Sequence, residues 1–161
     1  MTSPANINSL TNTIPPTSTT RPNSDDSLSE KSIRYAVKFD NHLRALQKIT
    51  SPKRSVAERT RALIIIANEA IERISNLAST VIEATNTREE PTLETKTEIQ
   101  AAEATAATLE NEMYNSMGSG TTYNMTPEGL LVRALVRDIS RYFDHVRSDI
   151  KEFIRDEGND T

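Results

Sequence analysis

SVAERTRALIIIANEAIERISNLASTVIEATN, Ser55 to Asn86, carries neither proline nor glycine. Ser55 and Glu58 stand at capping-box spacing at its start, so each side chain can satisfy a backbone donor of the first turn. Leu63, Ile66, Ala70, Ile74, Leu77 and Val81 then recur at steps of three and four, which lays one apolar stripe along a helix. A second row, Ile64, Ile71, Ala78 and Ile82, lies beside the first. Together the rows are too wide for a two-helix seam, so this helix needs neighbours on two sides. From Val56 to Thr85 it spans ~45 Å at 1.5 Å per residue.

The neighbours are legible on either side. Ser27 and Glu30 have capping-box spacing, and a shorter helix is expected over 29–50. Its apolar positions are Ile33, Val37 or Ala36, Leu43 and Leu46. Ser51-Pro52 ends it, because the residue before proline is pushed out of the α region. Downstream, Pro91 breaks the pattern, and Thr92 or the proline opens the next helix. There Ile99, Ala102, Ala106, Leu109, Met113 and Met117 make a thin, alanine-rich face, in a segment of high helix propensity. Gly118 is placed as a helix C-cap. Thr126-Pro127-Glu128 supplies an N-cap, a first-turn proline and an early acid. The last helix is expected from Pro127 to about Asp156. Its positions Val132, Val136, Ile139, Phe143, Val146, Ile150 and Phe153 alternate steps of four and three, the heptad signature of a bundle helix. No segment alternates like a strand.

Residues 1–28 are Ser, Thr, Asn and Pro with few apolar side chains. Such a segment cannot offset its ordering entropy by burial and reads as a solvated tail, with a docking or modification arm as the functional alternative. The expected domain plan is a tail over 1–28, a short helix over 29–50 and a bundle over 55–157. The fold class is all-α: an elongated bundle of three long helices plus a shorter N-terminal one, completed by a partner.

Composition bounds the function. In 161 residues, 35% are hydrophobic and 4% aromatic, low for a globular domain, so the core is expected to be marginal alone and stabilised by association. The net charge of −4 argues against general nucleic-acid binding. The absence of cysteine excludes disulfides and thiolate metal sites. No run reaches the ~20 apolar residues of a membrane span. The opening MTSPANINSL lacks the features of a signal peptide, so a soluble intracellular protein is the default.

The chemistry-bearing residues are sparse. The histidines are His42 and His145. His145 stands four residues before Asp149 and beside Asp144, which reads as a surface histidine in a helical ion pair rather than a metal ligand, since metals need three or four converging donors. Gly118-Ser119-Gly120 has neither a preceding strand nor a following lysine, so it is a linker and not a phosphate loop. Arg133, Arg137 and Arg141 form a ridge at four-residue spacing that could meet phosphates or an acidic partner. Asp138, Asp144, Asp149 and Glu152 interleave with the basic residues of this helix, which favours a solvated face. No catalytic, cofactor or metal residue emerges, and the chain is expected to be no enzyme.

Glu58-Arg59-Thr60-Arg61-Ala62-Leu63 with Ile66, followed by Ala78 and Thr80-Val81-Ile82-Glu83, resembles the opening helix of the Mediator subunit 11 family. The segment Ala101-Ala102 to Glu112 is similar to that family's alanine-rich second helix. Gly118 to Tyr123 is similar to its Gly-Ser loop ending in tyrosine, and Pro127 to Ile150 to its C-terminal helix. The likeness covers residues 57–152. It departs at the N-terminal extension, and at Ile64 and Ile65, where the family carries polar or acidic residues. The resemblance implies a nuclear, cofactor-free structural subunit of the Mediator head, paired with Mediator subunit 22 and other head subunits, that indirectly links regulators to RNA polymerase II and its initiation machinery. On this reading Leu63, Ile66, Ile74 and Val81 pack inside the bundle, while Ile64, Ile71 and Ile82 extend its surface toward the partner.

Other classes stay open. Ala106 to Tyr114 with Arg133-Ala134-Leu135 is similar to the central polymerase-binding domain of elongation factor S-II, although that domain's Asn-Leu-Lys-Asp element is absent. A coiled-coil subunit of another complex fits the composition equally well.

Overall fold

The structure is a computed structural model that describes residues 27–49, 51–87, 90–118 and 122–159. The described residues hold four helices: α1 (Leu28–Lys48), α2 (Arg54–Asn86), α3 (Leu93–Met117) and α4 (Pro127–Asn159), with a 3-10 turn at Thr122–Met125 before the last. The described residues contain no strand, so the chain is an all-α bundle. Residues 1–26 of the expected tail lie outside the described residues; of its last two, Ser27 caps α1 and Leu28 opens it.

Most helix ends are written locally. At the start of α1 the Glu30 amide donates to Ser27 Oγ at 3.1 Å, and the Ser27 amide donates to Glu30 Oε1 at 3.0 Å, the reciprocal pair of a capping box. The Thr95 amide donates to Thr92 Oγ1 at 3.0 Å to open α3. Gly118 closes it at φ 70°, with its amide donating to the Tyr114 carbonyl at 3.3 Å; this is a positive-φ conformation open to glycine because it carries no Cβ. At α4 the Gly129 amide donates to Thr126 Oγ1 at 2.9 Å, ahead of a proline whose missing N–H is not needed there.

α2 departs from the expected start. It begins at Arg54, and Lys53 caps it without a side-chain bond. The Ser55–Glu58 box does not form. Ser55 already lies inside the helix, and the Glu58 carboxylate instead accepts from Arg54 Nε at 2.9 Å. Ser51 Oγ accepts from the Lys53 amide at 3.2 Å, which settles the turn before the helix.

Cross-helix bonds set the directions. His42 meets Asp138, and Ser32, earlier on α1, meets Tyr142, later on α4, so these two helices run antiparallel. Tyr114 meets Ser140 while Glu103 meets Arg147, so α3 and α4 are antiparallel too. With short connections on both sides of α2, the topology is up-down-up-down, and α2 and α4 run in the same direction. They pack on each other along the centre of the bundle. α1 lies mostly on α4, and α3 mostly on α2 with only slight contact to α4. The cross-section is therefore a flattened rhombus, with α2–α4 as its short diagonal.

The core follows the heptads of α4: Val132, Leu135, Val136, Ile139, Phe143, Val146 and Ile150 are all buried. α2 meets them with Leu63, Ala67, Ala70, Ile74, Leu77, Ala78 and Val81. α1 differs from the aliphatic row expected of it. Ile33 and Val37 are 66% and 56% exposed, while Leu28, Tyr35, Phe39 and Leu46 are buried. Aromatic rings dock this helix. Tyr35 stacks on Tyr142 at a centroid distance of 5.2 Å, Phe39 lies 5.8 Å from Tyr142, and Tyr142 Oη donates to Ser32 Oγ at 2.8 Å. Such offset pairs contribute about 0.5–1.5 kcal/mol beyond the area they bury.

Candidate interaction surface

The titratable side chains that come together do so to fasten helices. His42 Nε2 lies 2.8 Å from Asp138 Oδ2, a bond between α1 and α4 from residues 96 apart in sequence. His145 forms no ion pair with the described residues and does not lie on an open face. It is half-buried, its ring centroid 5.8 Å from that of Tyr35. Burial lowers its imidazole pKa below the ordinary value, and the Lys31 ammonium adds to the effect, against the pull of Asp144. Burial likewise raises the Asp149 carboxyl, with Lys31 opposing. Among the described residues no three or more histidines and carboxylates converge on a metal position, and no described helix is long and apolar enough to cross a membrane.

A second polar knot holds the α3–α4 connection. Thr60 Oγ1 and Tyr123 Oη share a buried hydrogen bond of 2.8 Å, and the Arg59 guanidinium lies 5.4 Å from the centre of the Tyr123 ring. The Tyr123 carbonyl accepts from the Thr126 amide at 2.9 Å and from Thr126 Oγ1 at 2.6 Å. Asn124 Nδ2 donates to the Gly118 carbonyl at 3.4 Å.

The residues expected to meet a partner divide by their place on α2. Leu63, Ile74 and Val81 are fully inside the chain's own core. Ile66 is half-buried on the flank of that core, because Ala67, one residue on, takes the innermost position. Ile64, Ile71 and Ile82 are half-buried and pack against the core. Ile64 shares a cleft of about 230 Å³ with Leu46, Ile49, Ala57, Thr60 and Glu128, so α1 already covers part of the second row. Ile65, by contrast, is 64% exposed.

The larger opening lies on the other flank. Because α3 sits on α2 and barely reaches α4, a groove of about 580 Å³ runs between Tyr114 and Met117 of α3 and Leu130, Arg133, Ala134 and Arg137 of α4. Leu130 is 54% and Tyr114 48% exposed. A hydrogen-bonded relay fixes this wall: Tyr114 Oη donates to Ser140 Oγ at 2.8 Å, and Ser140 Oγ donates to Glu110 Oε2 at 2.7 Å. Heptad counting on α4 passes over Leu130 and Ala134 because they fall outside the core row. The usable signal was the apolar Leu130 one turn ahead of the arginine ridge.

No known family model, curated protein or solved structure matches this chain.

Proposed function

We propose that this chain is a non-catalytic assembly subunit, a helical bundle that joins a larger complex by lending helix faces to another protein. The observation that carries the proposal is the open α3–α4 flank, where large apolar side chains line a groove between two well-anchored helices. Exposed apolar surface of this kind marks interaction sites. The partly covered row Ile64, Ile71 and Ile82 on α2 offers a second apolar seam.

The particular assembly we propose is the head module of Mediator, in the nucleus, with Mediator subunit 22 as the neighbour that completes the bundle. Its support is the order of motifs from Glu58 to Ile150 and the all-helical architecture that carries them. In that setting the subunit acts through placement, holding other head subunits against the transcription machinery.

Co-expression with Mediator subunit 22, followed by size-exclusion chromatography, tests the assignment. The two chains are expected to co-elute. Ile71→Asp is expected to separate them, since an unpaired carboxylate in an apolar seam costs several kcal/mol by the order of magnitude of such burials. Ile71 also touches the chain's own core, so the isolated variant is melted in parallel, and Ile65→Asp at the exposed neighbour serves as a second probe. An unmutated chain that elutes alone beside the partner sinks the Mediator assignment. Unchanged co-elution of both variants removes α2 as the interface.

A further inference from the structure

We propose that the α3–α4 groove is a docking site for an acidic amphipathic helix of a partner protein; this deepens the assembly reading and rests on it. Three features select that occupant.

The first is charge. Arg133 and Arg137 stand one helical turn apart on the groove's rim, both exposed, and neither forms an ion pair or hydrogen bond with another of the described residues. In sequence Asp138 dilutes this ridge, but in the fold its carboxylate is turned to His42 and buried. Glu110 on the facing helix is engaged by Ser140. Glu128 is buried and lines the cleft on the α1 side. Glu112, exposed on α3, does not line the groove. The next carboxylate along α4, Asp144, lies about two turns beyond Arg137. The rim is thus a local positive field on a chain of net charge −4, and it matches carboxylates spaced four apart, the separation of neighbours on a helix face.

The second is the floor. Tyr114, Met117, Leu130 and Ala134 line the groove, with Leu130 and Tyr114 about half exposed, so the occupant brings aliphatic or aromatic side chains between its acids. A phosphate backbone has nothing to place against Leu130 and Ala134.

The third is the backbone. Both walls are helices, which pair their own backbone groups along their length, and the described residues hold no strand and so no sheet edge. An extended peptide finds no strand to pair with here, whereas a helix satisfies its own backbone and needs only side-chain contacts.

The test uses the full chain and two labelled helical peptides of about eighteen residues, a length of about 27 Å as a helix. Both carry leucines at three-four spacing; one is flanked by glutamates four apart, the other by lysines. Fluorescence anisotropy is expected to show the glutamate peptide bound at least about tenfold more tightly than the lysine peptide, as expected for two or more rim charge pairs, with the difference shrinking in high salt. Arg133→Glu/Arg137→Glu is expected to invert the preference, and Leu130→Asp to weaken both peptides by about tenfold, the order of one large apolar contact. Arg44→Glu/Lys48→Glu on α1 is expected to leave the preference unchanged.

Equal affinity for the two peptides, or an unaltered preference in the Arg133→Glu/Arg137→Glu variant, overturns the proposal. So does a short DNA duplex that competes as well as the glutamate peptide does. If the glutamate peptide fails to bind while co-elution with Mediator subunit 22 persists, the groove is wrong and the assembly reading stands. If the groove binds as described and that co-elution fails, only the Mediator assignment falls.

Discussion

Replacing Gly129 with alanine should destabilise the protein, against the ordinary expectation for a helix. Gly129 lies in the first turns of α4, where exchanging glycine for alanine normally stabilises by about 1 kcal/mol. Here a Cβ would stand 2.0 Å from the Tyr123 carbonyl oxygen, 2.9 Å from its carbon and 3.0 Å from Asn124 Cα. All three are backbone atoms and cannot swing aside as a side-chain tip can. Either the 3-10 turn or the start of α4 must move. The carbonyl under pressure accepts two bonds from Thr126, and the same residue's hydroxyl holds the buried bond to Thr60. At a net of about 1 kcal/mol per bond, losing all three costs about 3 kcal/mol. After the gain in helix propensity about 2 kcal/mol of destabilisation remains. Urea unfolding followed by circular dichroism measures this directly, with the slope of the transition checking that the unfolded state is unchanged. A Gly129→Ala midpoint at or above that of the wild type would refute the reasoning, because space and not backbone freedom is the argument.

Thr60→Val keeps the shape but strands the buried Tyr123 hydroxyl; a loss of about 1–3 kcal/mol is expected by the same urea titration, and Thr60→Ser should recover most of it. Phe39→Ala empties an aromatic position that is 3% exposed between α1 and α4; about 3–5 kcal/mol of lost stability is expected, with amide exchange on α1 rising most. The His145 imidazole has its pKa lowered from 6.5 by burial and by Lys31. Below 6.5 the unfolded chain therefore holds a proton that the folded chain takes up only at lower pH, and stability falls on acidification through that interval. Asp149, raised from 3.8, acts in the opposite sense: as pH falls through its folded value the folded chain binds the proton first, and stability gains. Thermal melts at about pH 7.5 and about pH 5.5 should show a larger acid loss for the wild type than for His145→Gln; equal losses would remove His145 as the cause.

Helix number, and most ends, could be read from the chain because their determinants are local. Ser27 with Glu30, Thr92, Gly118 and Thr126 with Pro127 each act within a few residues. The heptads of α4 reappear as its buried face for the same reason, since period and burial are one fact on a straight helix. What could not be read depends on encounters across the sequence. Ser55 and Glu58 had the spacing of a box, but Arg54 competes for the same carboxylate. Ile33 and Val37 had the right period on α1, yet Tyr35 and Phe39 face the core because Tyr142, far along the chain, offers a ring to stack on. Nothing near His42 announces Asp138. The expected seam on α2 was placed by counting apolar rows, which cannot show that α1 would lie along part of one of them. The groove between α3 and α4 was hidden for a related reason. It arises from the offset of α3 toward α2, a property of packing rather than of any single helix.

The bundle also carries its own optical labels. There are four tyrosines and no tryptophan, and every tyrosine bridges two elements. Tyr35 and Tyr142 join α1 to α4, Tyr114 joins α3 to α4, and Tyr123 joins the 3-10 turn to α2. Phenol emission and the phenol bands of the near-ultraviolet dichroism, unmasked by indole, therefore come from the junctions. A set of single Tyr→Phe exchanges would resolve the signal junction by junction. Tyr114 forms one wall of the groove, so its emission should respond when that groove is filled, with no dye attached to the protein.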